Sequence, residues 1–326
     1  MQKFLAVLEG PWLDLARAEL DAILSLGETE IFYEGTKCVA FRSTLSQKFI
    51  AERWALGQNV QKFIGACKAE GVEYLDFIEC LKGKKTFAIK PVYLSKGEKG
   101  DFDTSLLIQR AGEKIQLDVD LDKPDVKIYF NLDDETIYAG YDLLKVDDEA
   151  YEKRDVQQRP FKNPASLNSK LARAMVNLSR VKPGQTVLDP FSGAGGIMIE
   201  ASLVGAKPIG IELDKNIAKG CAINLEHYKC KDYQLMEGNA LDTHLKGIDV
   251  IVTDPPYGNS ASQFGKEDIL ERFIKMVARN YSIKRMIIMA PRSVNSELKK
   301  NGFKVEGIYT IKSHANLERT IYDCTI

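Results

Sequence analysis

With only three histidines and no C-x-x-C pair among its six cysteines, this 326-residue chain is short of zinc ligands, and no metal site is expected. Cys38, Cys67, Cys80, Cys221, Cys230 and Cys324 are scattered singly. That spacing excludes a disulfide framework and fits reduced thiols in a cytoplasmic setting. No apolar run reaches the ~20 residues that cross a membrane, and Met1-Gln2-Lys3-Phe4 opens directly into an alternating strand rather than a signal peptide. A membrane partner is therefore not expected. Strong charge of one sign is missing too: the net charge is −1, so a polyanionic partner would need a local basic patch. Internal repeats and low-complexity segments are also lacking, which excludes solenoids and disordered arms. What is present is 44% hydrophobic content, enough for a globular chain of two or three domains.

Along the chain, residues 1–50 read as a small α+β unit. Phe4–Leu8 is a strand, Leu13–Leu26 a helix ended by Gly27, and strands follow near Glu30–Tyr33 and Cys38–Arg42. Residues 51–141 form a second unit, with helices over Glu73–Leu81 and Asp103–Gln116, a strand at Lys85–Lys90, and a hairpin of Val126–Asn131 with Thr136–Tyr141. Here charge is uneven. Residues 81–100 hold Lys82, Lys84, Lys85, Lys90, Lys96 and Lys99 against Glu98 alone, and Lys84 and Lys85 are candidate phosphate contacts. The polar stretch 142–160 reads as a linker. From 161 to 326 strands alternate with helices. A helix capped by Ser166 precedes them, and the last two strands, Phe303–Lys312 and Arg319–Thr325, are expected antiparallel. Such alternation means a doubly wound α/β sheet.

Asp254-Pro255-Pro256-Tyr257-Gly258 organises the second half. It follows Ile248–Thr253, an apolar run expected as a buried parallel strand. Asp254 then sits at the strand's carboxyl end, where open α/β sheets take their ligands. Two prolines stiffen the loop and cannot donate backbone hydrogen bonds. The Asp254 carboxylate and the Pro255 carbonyl are two acceptors, suited to the two N–H groups of an exocyclic amine on a planar base. Holding both bonds pulls that nitrogen towards tetrahedral geometry and frees its lone pair. Tyr257 could stack on the base, worth about 1–3 kcal/mol, with Pro256 beside it.

A second loop, Asp189-Pro190-Phe191-Ser192-Gly193-Ala194-Gly195-Gly196, joins a strand to a helix start. A dinucleotide fingerprint is the obvious rival. Asp189 argues against it: a carboxylate at a strand tip repels a pyrophosphate but attracts an α-ammonium. Gly193 and Gly195 then allow close approach. Glu212 ends the next strand and can take two ribose hydroxyls, with Leu213 packing on adenine. Asn239 and Ala240, after the third strand, could meet the adenine edge. The set fits S-adenosylmethionine.

In this order the motifs resemble class I exocyclic-amino methyltransferases of nucleic acids. Arg159-Pro160-Phe161 ahead of the first helix, and His314, Leu317 and Arg319 near the end, narrow the resemblance to archaeal THUMP-domain tRNA (guanosine-10 N2)-methyltransferases. The resemblance implies a ferredoxin-like region at 1–50, a THUMP RNA-binding domain at 51–141, a linker at 142–160 and a Rossmann-like methyltransferase domain at 161–326. It implies tRNA as partner, Arg159 and Phe161 near the methionine end of the cofactor, and His314 and Arg319 beside the substrate. Asn239 stands where many relatives have Asp. Relatives acting on guanosine-6 or ribosomal RNA usually carry Asn-Pro-Pro-Tyr, so Asp254 favours the guanosine-10 group. Some relatives need a small zinc-binding activator that covers an apolar sheet edge, and Tyr233–Met236 is either such an edge or an interior strand. A DNA adenine methyltransferase, a non-catalytic RNA-binding protein and a nucleotide-dependent oxidoreductase are the alternatives.

Overall fold

The computed structural model describes residues 1–94, 102–164, 166–256, 268–312 and 318–326. Two compact units emerge: Met1–Leu13, Leu24–Glu52 and Gly57–Val146 in one, and Asp14–Ile23, Arg53–Leu56 and Asp147–Ile326 in the other.

The first unit is built on one eight-stranded sheet. Its strands are β1 (Gln2–Leu8), β2 (Thr29–Glu34), β3 (Cys38–Ser43), β4 (Gly57–Cys67), β5 (Thr86–Tyr93), β6 (Asp118–Val119), β7 (Val126–Asp133) and β8 (Thr136–Lys145), in the order β2-β3-β1-β4-β8-β7-β5-β6. Among the described residues of this sheet only β5 pairs in parallel, with β6 and β7. Alternate residues of β7 and β8, Ile128, Phe130, Ile137 and Ala139, form a core with Leu107 and Ala111 of a helix at Thr104–Gly112. The expected hairpin is present. The strand β4 was not foreseen, because its buried stretch Val60-Gln61 breaks simple alternation with a buried amide, which bonds to Asn59 and Asn131. The single helix expected over Glu73–Leu81 is instead a 3-10 turn at Ala69–Tyr74 followed by a short helix at Ile78–Leu81. Leu75 is extended, and the Asp76 carboxylate accepts from the Ile78 N–H at 3.0 Å, restarting the helix. Lys82, Lys84, Lys85 and Lys90 are exposed, whereas Lys96 and Lys99 lie outside the described residues.

Among the described residues the helices are α1 (Leu13–Leu24), α2 (Gln47–Arg53), α3 (Ile78–Leu81), α4 (Thr104–Gly112), α5 (Asp148–Glu152), α6 (Ser169–Leu178), α7 (Gly196–Leu203), α8 (Lys215–His227), α9 (Ile269–Asn280) and α10 (Asn295–Lys300). The second unit's strands are β9 (Thr186–Asp189), β10 (Lys207–Glu212), β11 (Gln234–Glu237), β12 (Val250–Thr253), β13 (Arg285–Ala290), β14 (Lys304–Lys312) and β15 (Glu318–Thr325). They form a seven-stranded sheet ordered β11-β10-β9-β12-β13-β15-β14. All pairs from β11 to β13 are parallel, and β15 runs antiparallel to both neighbours. Chain order therefore reverses between β9 and β12, the point where ligands bind in sheets of this kind.

All of β12 is buried, as its apolar run requires. Leu270, Phe273, Ile274 and Val277 of α9 share one core with Ile251, Met286 and Ile288 of the sheet. Asn168, not Ser166, caps α6: its side chain accepts from the Leu171 N–H at 2.9 Å, which places the carboxamide at the favoured spacing for an N-cap. The strand β11 is an edge strand, paired only with β10 among the described residues.

Residues Asp14–Ile23 and Arg53–Leu56 join this unit through buried polar contacts. The Glu19 carboxylate accepts from the Ala55 and Leu56 N–H groups and from Asn177 Nδ2 on α6, at 3.0, 2.9 and 2.7 Å. Arg53 donates to Asn177 Oδ1 and to the Val181 carbonyl. The segment 142–160, expected as a linker, carries the end of β8, then α5 and a 3-10 turn at Val156–Gln158. Within it Tyr151 is buried under the Arg154 guanidinium, which pairs with Glu200 at 2.8 Å. Charged side chains that look solvated in the sequence are thus spent on internal partners.

Candidate active site

The parallel strands bring their carboxyl ends together, and the candidate residues stand there in sequence register. Asp189 is the last residue of β9, Glu212 the last of β10, and Asp254 the first residue beyond β12. Asp189 is 2% exposed. It accepts from the Thr253 hydroxyl at 2.9 Å and from the Phe191 N–H at 3.3 Å. Burial, with the Asp254 and Glu212 charges adding to it, pushes its carboxyl up to about 7, against those two hydrogen bonds.

The glycine-rich turn folds around these acids. Gly193 and Gly195 both have positive φ, +51° and +85°, which a residue with a Cβ adopts only at a cost. At Gly195 an added Cβ would also lie 2.8 Å from Cys221 Sγ. The Gly193 N–H donates to one Glu212 oxygen and the Asp214 N–H to the other, each at 2.9 Å. Each oxygen keeps a further lone pair, so the acid can still accept ribose hydroxyls. Burial holds the Glu212 carboxyl above its ordinary value. Leu213 is half-buried and Ala240 buried. The Asn239 carboxamide is engaged in its own turn, accepting from the Leu241 N–H and donating to Asp242.

Arg159 is 2% exposed and lies under Gly196, where an added Cβ would come 3.2 Å from its Nη1. Nε and Nη2 donate to the Arg154 and Leu167 carbonyls, and Nη1 has no partner among the described residues. Phe161 packs on α8 at Gly220, where any Cβ would meet its ring at 2.3 Å. Asn224, fully buried on α8, ties this segment to the glycine-rich turn. It accepts from the Phe161 N–H and donates to the Phe161 and Ala194 carbonyls, at 2.9, 3.0 and 2.9 Å. Neither Asn224 nor Thr253 was picked out from the sequence. The available signals were an amide on a helix with apolar neighbours and a hydroxyl ending an otherwise apolar strand.

Asp254 is largely buried and forms an ion pair with Arg319 on β15. Burial raises its carboxyl above the ordinary range and Arg319 pulls it back. Pro255 is buried and Pro256 half-buried. Tyr257 and His314 lie outside the described residues. Lys84 and Lys85 belong to the first unit, where the Lys85 N–H donates to Asp125. The described residues contain no cluster of potential metal ligands and no helix long and apolar enough to cross a membrane.

A family model described as a methyltransferase domain of RMKL-like type matches residues 157–317, and a second, described as a DNA methylase, matches 77–224. Among solved structures, TrmN from Thermus thermophilus superposes with a TM-score of 0.54 at 19% identity, covering 99% of each chain. Fold and site thus define a methyltransferase-like α/β protein. Two relatives narrow this. The tRNA (guanine(10)-N2)-dimethyltransferase of Methanothermobacter thermautotrophicus is 34% identical over 287 residues, 84% of each chain. That of Methanocaldococcus jannaschii is 33% identical over 302 residues, 87% of this chain and 82% of its own. The chain belongs to the tRNA (guanine(10)-N2)-dimethyltransferase family.

Proposed function

We propose that the protein methylates the exocyclic N2 amine of guanosine-10 in tRNA, with S-adenosylmethionine as donor and the dimethylated base as final product. The observation that carries this reading is a largely buried carboxylate, Asp254, followed by two prolines, at the tip of the central strand β12 and one strand from the acid Asp189.

The residues fit the donor. Asp189 offers an anion to an α-ammonium, and the unpartnered Nη1 of buried Arg159 offers a cation at the methionine end, with Phe161 next to it. Glu212 has acceptor capacity for ribose, and Gly193, Gly195, Leu213, Asn239 and Ala240 would line the remaining pocket. When bound, the cofactor supplies an electrophilic methyl group on a sulfonium. The chain's own work is orientation and electrostatics. Asp254 and the Pro255 carbonyl accept the two amine N–H bonds, and the carboxylate stabilises the positive charge that grows on nitrogen. Asp254 or solvent then takes the released proton. Pro256 and Tyr257 would hold the plane of a base that has left its stack, with His314 and Arg319 on the substrate side.

The first-unit residues are proposed to hold the RNA, with 1–50 as a ferredoxin-like region and 51–141 as a THUMP domain. The exposed Lys84 and Lys85 would meet phosphates. A zinc-binding activator would find its place on the edge strand β11, where Leu235 and Met236 are half-buried. The DNA methylase match gives DNA adenine as a second reading, but it ends at residue 224, before the Pro-Pro loop. Incubation with methyl-labelled cofactor separates the two. Label in tRNA, and none in a transcript with adenosine at position 10, is the expected result; label in DNA alone contradicts it.

A further inference from the structure

We infer that Arg319 is a positioning residue for this reaction. It is the resident counter-ion of Asp254, keeps that carboxylate charged and aimed, and leaves it acceptor capacity for the arriving amine. The inference rests on the proposed reaction and adds a specific residue role to it.

The topology explains how a side chain 65 positions later in the sequence reaches the loop. Because β15 runs antiparallel to β13, its first residues lie at the same end of the sheet as the last residues of the parallel strands. Thr320 is in register with Ala290, the last residue of β13. Arg319 therefore starts one strand beyond β13 and extends its guanidinium across it to the tip of β12. Two strand spacings are about 9.6 Å, a gap that the two facing side chains close together. The donor is Nη2 and the acceptor Asp254 Oδ1, and the two side chains are 11% and 12% exposed. A carboxylate has about four lone-pair sites, so this contact does not exhaust it.

Charge explains why a cation is needed. The groups facing Asp254 among the described residues are Arg319 from β15 and the Asp189 carboxylate from β9, with Glu212 behind the latter at the tip of β10. Without Arg319, three acids would stand at neighbouring strand tips with little water, and Asp254 would take up a proton. A neutral carboxyl loses an acceptor and gains an O–H donor, which would face the amine's own N–H. The cation thus sets the pH below which the site stops working. Strand β15 also carries a second buried ion pair, Asp323 with Arg285 of its neighbour β13, at the opposite end of the sheet. It supplies a control for the purely structural effect of disturbing this strand pair.

The test is the pH dependence of single-turnover methyl transfer to tRNA by the wild-type protein and by Arg319→Gln, Arg319→Lys and Arg285→Lys. An opposite charge at contact distance moves a carboxyl by about 1–3 pH units. The acidic limb of Arg319→Gln should therefore move up by at least one unit, a tenfold or greater loss below it. Arg319→Lys keeps the charge but not the fork, so its limb should stay near the wild-type position with a lower plateau. Arg285→Lys should leave the limb in place. A uniform loss for Arg319→Gln with an unmoved limb overturns the inference. If the glutamine variant fails to fold, a lysine variant whose limb moves up by a unit or more overturns it as well. Absence of methylated guanosine with wild-type protein would instead sink the proposed reaction.

Discussion

Thr253 donates its hydroxyl to Asp189 across 2.9 Å, joining the end of β12 to the end of β9. This bond spans the place where chain order reverses. It also makes one structure of the two loops that the sequence presents as separate motifs. The acid proposed for the donor and the acid proposed for the acceptor flank this one hydroxyl, at positions 189 and 254.

Protonation of Asp189 should therefore govern donor binding. Its carboxyl ordinarily titrates at 3.8 and is pushed up to about 7 in the fold. An ammonium ligand needs the ionised form, so calorimetry should show affinity rising with pH up to about 7, with proton release below that point. Replacing the hydroxyl, Thr253→Val, removes a bond that favours the charged form and should move this dependence to higher pH. A pH-independent affinity would speak against Asp189 as the ammonium's partner.

Glu19 has a carboxyl shifted in the same direction, and its stability prediction runs the opposite way with pH. Burial raises its carboxyl from 4.5 to about 7. The folded state then holds a proton that the unfolded chain has lost, so the contribution is complete below about 4.5 and disappears as pH rises through about 7. Thermal denaturation across this window should show a falling Tm, and Glu19→Gln should flatten the slope. An unchanged slope would mean that Glu19 titrates normally.

At Gly220 there is no room for a side chain, since a Cβ would meet the Phe161 ring at 2.3 Å. Overpacking of this kind costs about 1–3 kcal/mol, and Gly220→Ala should lose stability by that amount in denaturant unfolding. Because Asn224 couples Phe161 to Ala194, donor affinity should fall with it. Stability lost without any change in affinity would separate Phe161 from the donor pocket.

Much of the second unit was legible because a buried parallel strand announces itself twice, by an apolar run and by a punctuated loop. Val250–Thr253 followed by Asp-Pro-Pro, and Thr186–Asp189 followed by the glycine-rich turn, have both signals. The start of α6 and the break before α3 were missed because several polar residues compete to cap a helix, and only the folded backbone decides between Ser166 and Asn168. Long-range polar pairing was the least legible. The Glu19–Asn177 and Asp254–Arg319 contacts join residues 158 and 65 positions apart, and no local pattern encodes such partners. Asn239 was expected at the adenine edge, and its side chain turns out to bond to Leu241 and Asp242 of its own turn.

Mass spectrometry of nucleosides from tRNA incubated with the protein and S-adenosylmethionine tests the central claim most directly. Wild-type protein should yield N2-methylguanosine that converts to N2,N2-dimethylguanosine. Asp254→Ala should reduce both by at least about 100-fold, the order expected when preorganised electrostatic stabilisation is lost, while binding the donor nearly as well. Methylated adenosine in place of methylated guanosine, or an Asp254→Ala protein that still methylates at the wild-type rate, would contradict the account.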